Sequence, residues 1–306
     1  MQTGPFETVC IVGTGFMGAQ IGLRCATHGY GVWFVDIVAE QLQQAAQSLE
    51  QELDERLEKQ QITAEERAAT LDRIHFTTSM QEGTSGADLV IEAVPERLET
   101  KREVFSQLDA VCPRKTILAT NSSSIRASAI EDVTGRLDKV LNMHFYAPVS
   151  QRTMVELMRG TATSDETMDI ARQFACTIEM TPLVVRKEST GFIFNRVWRA
   201  IKKECLRIVD EGVASHEDVD RAWMIFLDQS IGPFGLMDMI GLDVVRDIEM
   251  VYYRESGDES DAPPQILLDR IEKGELGVKT GKGFYDYPNP AFKAPGWLKA
   301  DEEGRE

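Results

Sequence analysis

Apolar and β-branched residues in the first half of the chain come in short unbroken runs: TVCIVG at 8–13, GVWFVD at 31–36, RIHFTT at 73–78, DLVIEAV at 88–94, TILATN at 116–121 and VLNMHF at 140–145. Runs of this kind, as opposed to alternating ones, mark strands covered on both faces, as in a parallel sheet flanked by helices. Helical stretches separate them. AEQLQQAAQSLEQELDERLEKQQ, after the second run, carries leucines at 42, 49, 53 and 57, a narrow apolar stripe on an otherwise wet helix. The pattern predicts a doubly wound α/β sheet. TMVELM at 153–158 and TPLVVRK at 181–187 add two strands, with a helix between them that Thr163 and Glu166 open as a capping box.

From GFIFNRVWRAIKKECLRIVDEG onward no strand pattern recurs and helical periods run to about residue 273. A boundary near 187 divides a sheet domain, 1–187, from an all-α domain, 188–306. Composition narrows the function. The 306 residues carry 33 Lys+Arg against 50 Asp+Glu, a net charge of −17, which disfavours nucleic acid and anionic membranes as partners. Cys10, Cys25, Cys112, Cys176 and Cys205 are scattered without C-x-x-C spacing, which suggests neither a disulfide framework nor a metal site. With no apolar run of bilayer-spanning length and no signal-peptide pattern at the start, the expected location is the cytoplasm.

The first run leads into G-x-G-x-x-G at Gly13, Gly15 and Gly18, which opens a helix at Phe16 and Met17 and is followed by a second strand ending in Asp36. That register is the one dinucleotide sites require. Gly13 permits the turn, Gly15 lets backbone approach a pyrophosphate, and Gly18 lets helix and strand pack closely. The phosphates sit on the helix N-terminus. Asp36 would bond both ribose hydroxyls and repel a 2′-phosphate, so NAD is favoured over NADP. A glycine turn that binds no nucleotide is the competing reading.

NAD implies hydride transfer, which needs a group to take the hydroxyl proton, and neutral imidazole suits that task. Of the four histidines, His28 ends the first helix, His75 reads as a packed strand position, and His216 in SHEDVD reads as solvated. His144 stands at the carboxyl end of a strand, where open α/β sheets bind ligands. Glu156, twelve residues on at another strand end, could fix its tautomer. A packed histidine and an ordinary strand-end carboxylate are the alternatives. In ATNSSSI one serine is expected to cap a following helix and another to meet the substrate oxygen.

Taken in order, IVGTGFMGAQIG, DLVIEAVPERLETKREVF, ATNSSSI, MHFYAPV with MVEL, KESTGFIFNRV, IGPFGLMDMIGLDV and KTGKGFYDY resemble the L-3-hydroxyacyl-CoA dehydrogenase family, its short-chain 3-hydroxybutyryl-CoA members in particular. The resemblance covers nearly the whole chain. It implies a Rossmann-type sheet domain followed by a helical domain that commonly forms a homodimer. It also implies His144 as the base, Glu156 as its carboxylate, Ser123 in contact with substrate and nicotinamide, and Asn195 holding the substrate near the reacting carbon. Glu96, Lys101 and Lys279 join the glycines and Asp36 as NAD contacts, and Lys59 falls at a position that meets the CoA end.

Departures from the family pattern bear on the substrate. Ala147 replaces a common asparagine, Thr153 a common lysine, and Glu52 falls where the family offers a serine to CoA. A relative acting on a non-CoA hydroxy acid, as in the gulonate and carnitine dehydrogenase branches, or on a carrier-bound acyl group, is the second reading. A catalytically silent NAD-binding protein is the third.

Overall fold

The computed structural model describes residues 4–299 and divides into two compact units, Met1–Ile193 and Phe194–Glu306. In the first unit, β1 (Thr8–Val12), β2 (Gly31–Val35), β3 (Ile74–Thr77), β4 (Leu89–Glu92), β5 (Ile117–Thr120), β6 (Val140–Phe145), β7 (Met154–Arg159) and β8 (Thr181–Val185) form one sheet in the order 3-2-1-4-5-6-7-8. The first six are parallel; β7 runs antiparallel to β6, and β8 parallel to β7. The order 3-2-1-4-5-6 is the doubly wound one expected.

The period of two along each strand divides the core into layers. Val9, Ile11, Val32, Phe34, Met143 and Leu157 point to the face covered by α1 (Phe16–Thr27), α2 (Ala39–Glu58) and α6 (Asp165–Thr177). Cys10, Val12, Val90 and Leu118 point to the other, where α5 (Leu98–Val111) supplies Phe105 and Leu108. On that second face the strand ends turn polar: Glu92 on β4 lies opposite Thr120 on β5, and His144 on β6 opposite Glu156 on β7. The predicted stripe on α2 buries Leu42, Leu49 and Leu53.

Short helices α3 (Ala64–Leu71) and α4 (Met80–Thr84) fill the connection between β2 and β4. A capping box occurs at α3, where Thr63 and Glu66 bond each other's backbone N–H. The box expected at Thr163 and Glu166 is not formed. Ser164 caps α6 by accepting from Thr167 N–H, because the buried Thr163 hydroxyl donates to the Val140 carbonyl at the start of β6 and accepts from Gly160 N–H.

The second unit comprises α7 (Phe194–Asp210), α8 (His216–Leu227), α9 (Pro233–Ile240), α10 (Leu242–Ser256) and α11 (Gln265–Glu272), followed by short 3-10 turns. Its KTGKGFYDY segment clamps Asp238, whose carboxylate accepts from Phe284 and Tyr285 N–H at 2.9 Å each, and side chains at Gly277 or Gly283 would collide with that aspartate. His216, expected in solvent, is instead half-buried, its ring 5.1–5.9 Å from those of Phe234, Phe284 and Tyr285. Burial, and then the nearby Arg270, push its pKa down. His75 is also misplaced by the strand pattern: β3 is an edge strand, which leaves the imidazole exposed, its ring tilted against that of Trp33 at 4.8 Å.

Candidate active site

At the nucleotide turn Gly13 takes φ +96°, its N–H donates to the Val35 carbonyl, and a Cβ there would lie 2.7 Å from the Ala93 carbonyl oxygen. A Cβ on Gly18 would sit 1.9 Å from the Gly13 carbonyl oxygen, whereas one on Gly15 would meet nothing within 4 Å. Gly15 is the N-cap of α1 and no side chain caps that end, so the N–H groups at Phe16 and Met17 face an open cradle. That is the space and donor set a pyrophosphate needs.

At the end of β2, Asp36 accepts from the N–H and hydroxyl of Thr14, at 2.9 and 3.1 Å, and from Val38 N–H at 3.0 Å. These bonds aim a half-buried carboxylate alongside the turn, with lone pairs remaining for a ribose. Thr14 orders Asp36 and was not singled out in the sequence, since its role depends on contact with the neighbouring strand end.

Next along the sheet, buried Lys101 reaches Glu92 at 2.7 Å, Glu96 at 3.2 Å and the Val94 carbonyl at 3.3 Å, so all three of its N–H donors have oxygen acceptors. Glu96 in turn accepts from the hydroxyl of Ser122 and from the N–H and hydroxyl of Ser124. Burial opposes ionisation of Glu96, but Lys101 and the two serines outweigh it and hold the carboxyl below its usual range. The turn Ser122–Ser124 is thereby fastened on both sides of Ser123, which is exposed and hydrogen-bonded to no described residue. The helix expected to start at these serines is only a 3-10 turn, Ala127–Ala129, capped by none of them; the Ser122 hydroxyl accepts from Ile125 N–H instead.

His144 and Glu156 face each other across the antiparallel pair β6 and β7, with Nδ1 to Oε2 at 3.2 Å. Both are buried. The same Oε2 accepts from the Tyr146 hydroxyl at 2.7 Å, and Oε1 accepts from Ile193 N–H at 2.9 Å. The Phe192 ring stacks on the imidazole with centroids 4.9 Å apart, and Asn121 accepts from Phe145 N–H, tying the β5 end to the His144 strand. With Nδ1 turned to the carboxylate, Nε2 meets no hydrogen-bonding partner among the described residues and is the nitrogen left for a ligand. Glu92, Asn121 and Tyr146 were missed in the sequence; a carboxylate closing an apolar strand, as in DLVIE, was the only local signal.

Asn195 and Lys279 belong to the second unit. Asn195 is half-buried in the first turn of α7, and Lys279, in a 3-10 turn, pairs with Asp243 at 2.5 Å. Lys59, at the end of α2, is exposed and 3.4 Å from Glu55.

Residues 8–189 match the model of the 3-hydroxyacyl-CoA dehydrogenase NAD-binding domain, and residues 191–287 match that of the C-terminal domain of the same family. The chain belongs to the 3-hydroxyacyl-CoA dehydrogenase family. Its dinucleotide is NAD, and it is an oxidoreductase. Among 3-hydroxyacyl-CoA dehydrogenase relatives, a probable 3-hydroxybutyryl-CoA dehydrogenase of Bacillus subtilis is 36% identical over 92% of this chain and 97% of its own. The crystal structure of (S)-3-hydroxybutyryl-CoA dehydrogenase from Ralstonia eutropha superposes with TM-score 0.88 at 35% identity, covering 93% of this chain and all of that one. A diketoreductase that acts on dicarbonyl compounds gives TM-score 0.82 at 31% identity, covering 94% of this chain and all of that one. No helix among the described residues is long and apolar enough to cross a membrane.

Proposed function

We propose that this chain interconverts a 3-hydroxyacyl thioester and its 3-keto form, with His144 as the base and Glu156 as its paired carboxylate. The buried His144–Glu156 pair, at the same carboxyl edge of the sheet as the nucleotide turn, carries the reading. Bound NAD supplies the hydride acceptor. His144 takes the hydroxyl proton on Nε2, and Glu156, bonded to Nδ1, stabilises the imidazolium that results. Ser123 donates to the substrate oxygen from a turn that Glu96 holds. Asn195 positions the acyl chain, and Lys279 serves the dinucleotide. The resemblance assigns Lys101 to NAD; its burial favours an action through Glu96.

One observation favours a substrate without a nucleotide end. A groove of about 730 Å³ beside the loop that follows the His144 strand is lined by Gln20, Arg24, Glu52, Arg56, Lys59 and Gln151. Arg56 is already bonded to Glu52, and Lys59 to Glu55. A phosphate entering there must compete with a carboxylate already paired to Arg56 and to Lys59. The expected result is NADH oxidation with acetoacetyl-CoA at a kcat/KM within about tenfold of that for acetoacetyl-N-acetylcysteamine, a difference of about 1.4 kcal/mol or less. Turnover of free acetoacetate but not of acetoacetyl-CoA overturns the thioester reading.

We also propose a partner and a location. The helical unit exposes Ile225 and Phe226 at the end of α8, Met239 and Ile240 at the end of α9, and Val244 on α10, with Phe226 87% exposed. We assign this apolar surface to a second copy of the chain. Phe226→Glu is expected to halve the mass measured by light scattering while leaving the circular dichroism spectrum unchanged; a monomeric parent protein overturns the assignment. All five cysteines are free thiols, which favours a reducing cytoplasm.

A further inference from the structure

We infer that Tyr146 is a positioning residue that sets the pH at which His144 works, an inference that rests on the reading of His144 as the base. The described contacts of the pair come from three segments. His144 lies on β6, Glu156 on β7, and Tyr146 just beyond β6, while the stretch after β8 brings the Ile193 N–H and the uncharged Phe192 ring. The tyrosine hydroxyl and the imidazole Nδ1 converge on one oxygen, Glu156 Oε2, at 2.7 and 3.2 Å. Their rings are also in edge-to-face contact, with centroids 4.4 Å apart, so the hydroxyl is held in place by the packing of the histidine it competes with.

The consequence is electrostatic. A carboxylate facing an imidazole alone offers it full negative charge and favours the imidazolium. A phenol donating to the same oxygen draws on that charge through a short charge-assisted bond, so the carboxylate attracts the imidazolium less. With both groups buried, solvent screens little of this effect. Tyr146 thus weakens the pull of Glu156 on the imidazolium, while Glu156 still fixes the tautomer of His144. Ile193 N–H holds the other oxygen and stops the carboxylate from rotating away.

The test is the pH profile of kcat/KM for 3-hydroxybutyryl-CoA oxidation in the Tyr146→Phe protein. Phenylalanine keeps the ring and its packing. Its acid limb is expected to move upward by about 0.5–1 pH unit, with activity at alkaline pH near that of the parent. Histidine-ring proton NMR, with the His144 signal assigned by its loss in His144→Gln, should show the same upward shift independently of turnover. A uniform loss of activity with both the limb and the NMR titration unmoved overturns the role of Tyr146 while leaving His144 as the base. A His144→Gln protein that keeps most of its activity overturns the reading beneath it.

Discussion

His144→Gln is expected to lower kcat/KM by about a thousandfold or more, the scale of a positioned general base. Glutamine keeps a comparable volume and can still donate to Glu156, so the buried carboxylate retains a partner and the fold has no reason to fail. It cannot cycle a proton, and only that function is lost. NAD affinity, read by fluorescence quenching, should stay within about twofold of the parent, because the dinucleotide meets β1, α1 and Asp36 on other strands. Glu156→Gln should lose about a hundredfold or more, since an amide can steady the ring but offers no charge to the imidazolium. The double variant should fall little below His144→Gln, because the two residues act as one unit. Retention of more than about a tenth of parental activity in His144→Gln sinks the assignment, since that is below any general-base contribution.

Gly18→Ala is expected to cost about 3 kcal/mol of stability or more, read as the urea midpoint. The added methyl would lie 1.9 Å from the Gly13 carbonyl oxygen and 3.2 Å from the Ile11 side chain. The carbonyl cannot swing aside freely, because Gly13 is held by its bond to Val35 and its own Cβ direction is blocked by Ala93. Helix α1 must instead lift from β1, which separates the N–H cradle from the turn. Gly15→Ala is the informative contrast. Its methyl enters open space, so the urea midpoint should stay within about 0.5 kcal/mol of the parent, while NAD affinity drops at least about tenfold because the methyl stands where the phosphate approaches. Equal stability of the Gly18→Ala protein and the parent would show that the close approach of helix and turn is not what Gly18 provides.

The misread residues share a cause. His75 was taken for a packed strand position, but β3 lies at the sheet edge, and edge or centre is a property of strand order. His216 looked solvated in the first turn of a helix; three aromatic rings from distant positions cover it. Thr163 had the spacing of a cap, yet its hydroxyl is claimed by a strand carbonyl 23 residues away. In each case a contact between residues far apart in the chain outweighed a local preference.

The amino-acid sequence by itself determined the eight strands, the nucleotide turn, the helical second half and, through ordered motifs, the family. These are local matters: unbroken apolar runs reflect burial on two faces, and the glycine spacing reflects one positive-φ turn at Gly13 and positions where a Cβ would block close approach. Glu156 could be named as a partner for His144 but not placed. Only the tertiary structure decided that β7 runs antiparallel to β6 in the register that sets Glu156 opposite His144, that Tyr146 shares its oxygen, and that Lys101 serves a buried carboxylate. Register and direction of pairing are set by the whole sheet, and a slip of one residue in β6 or β7 would turn His144 or Glu156 to the opposite face.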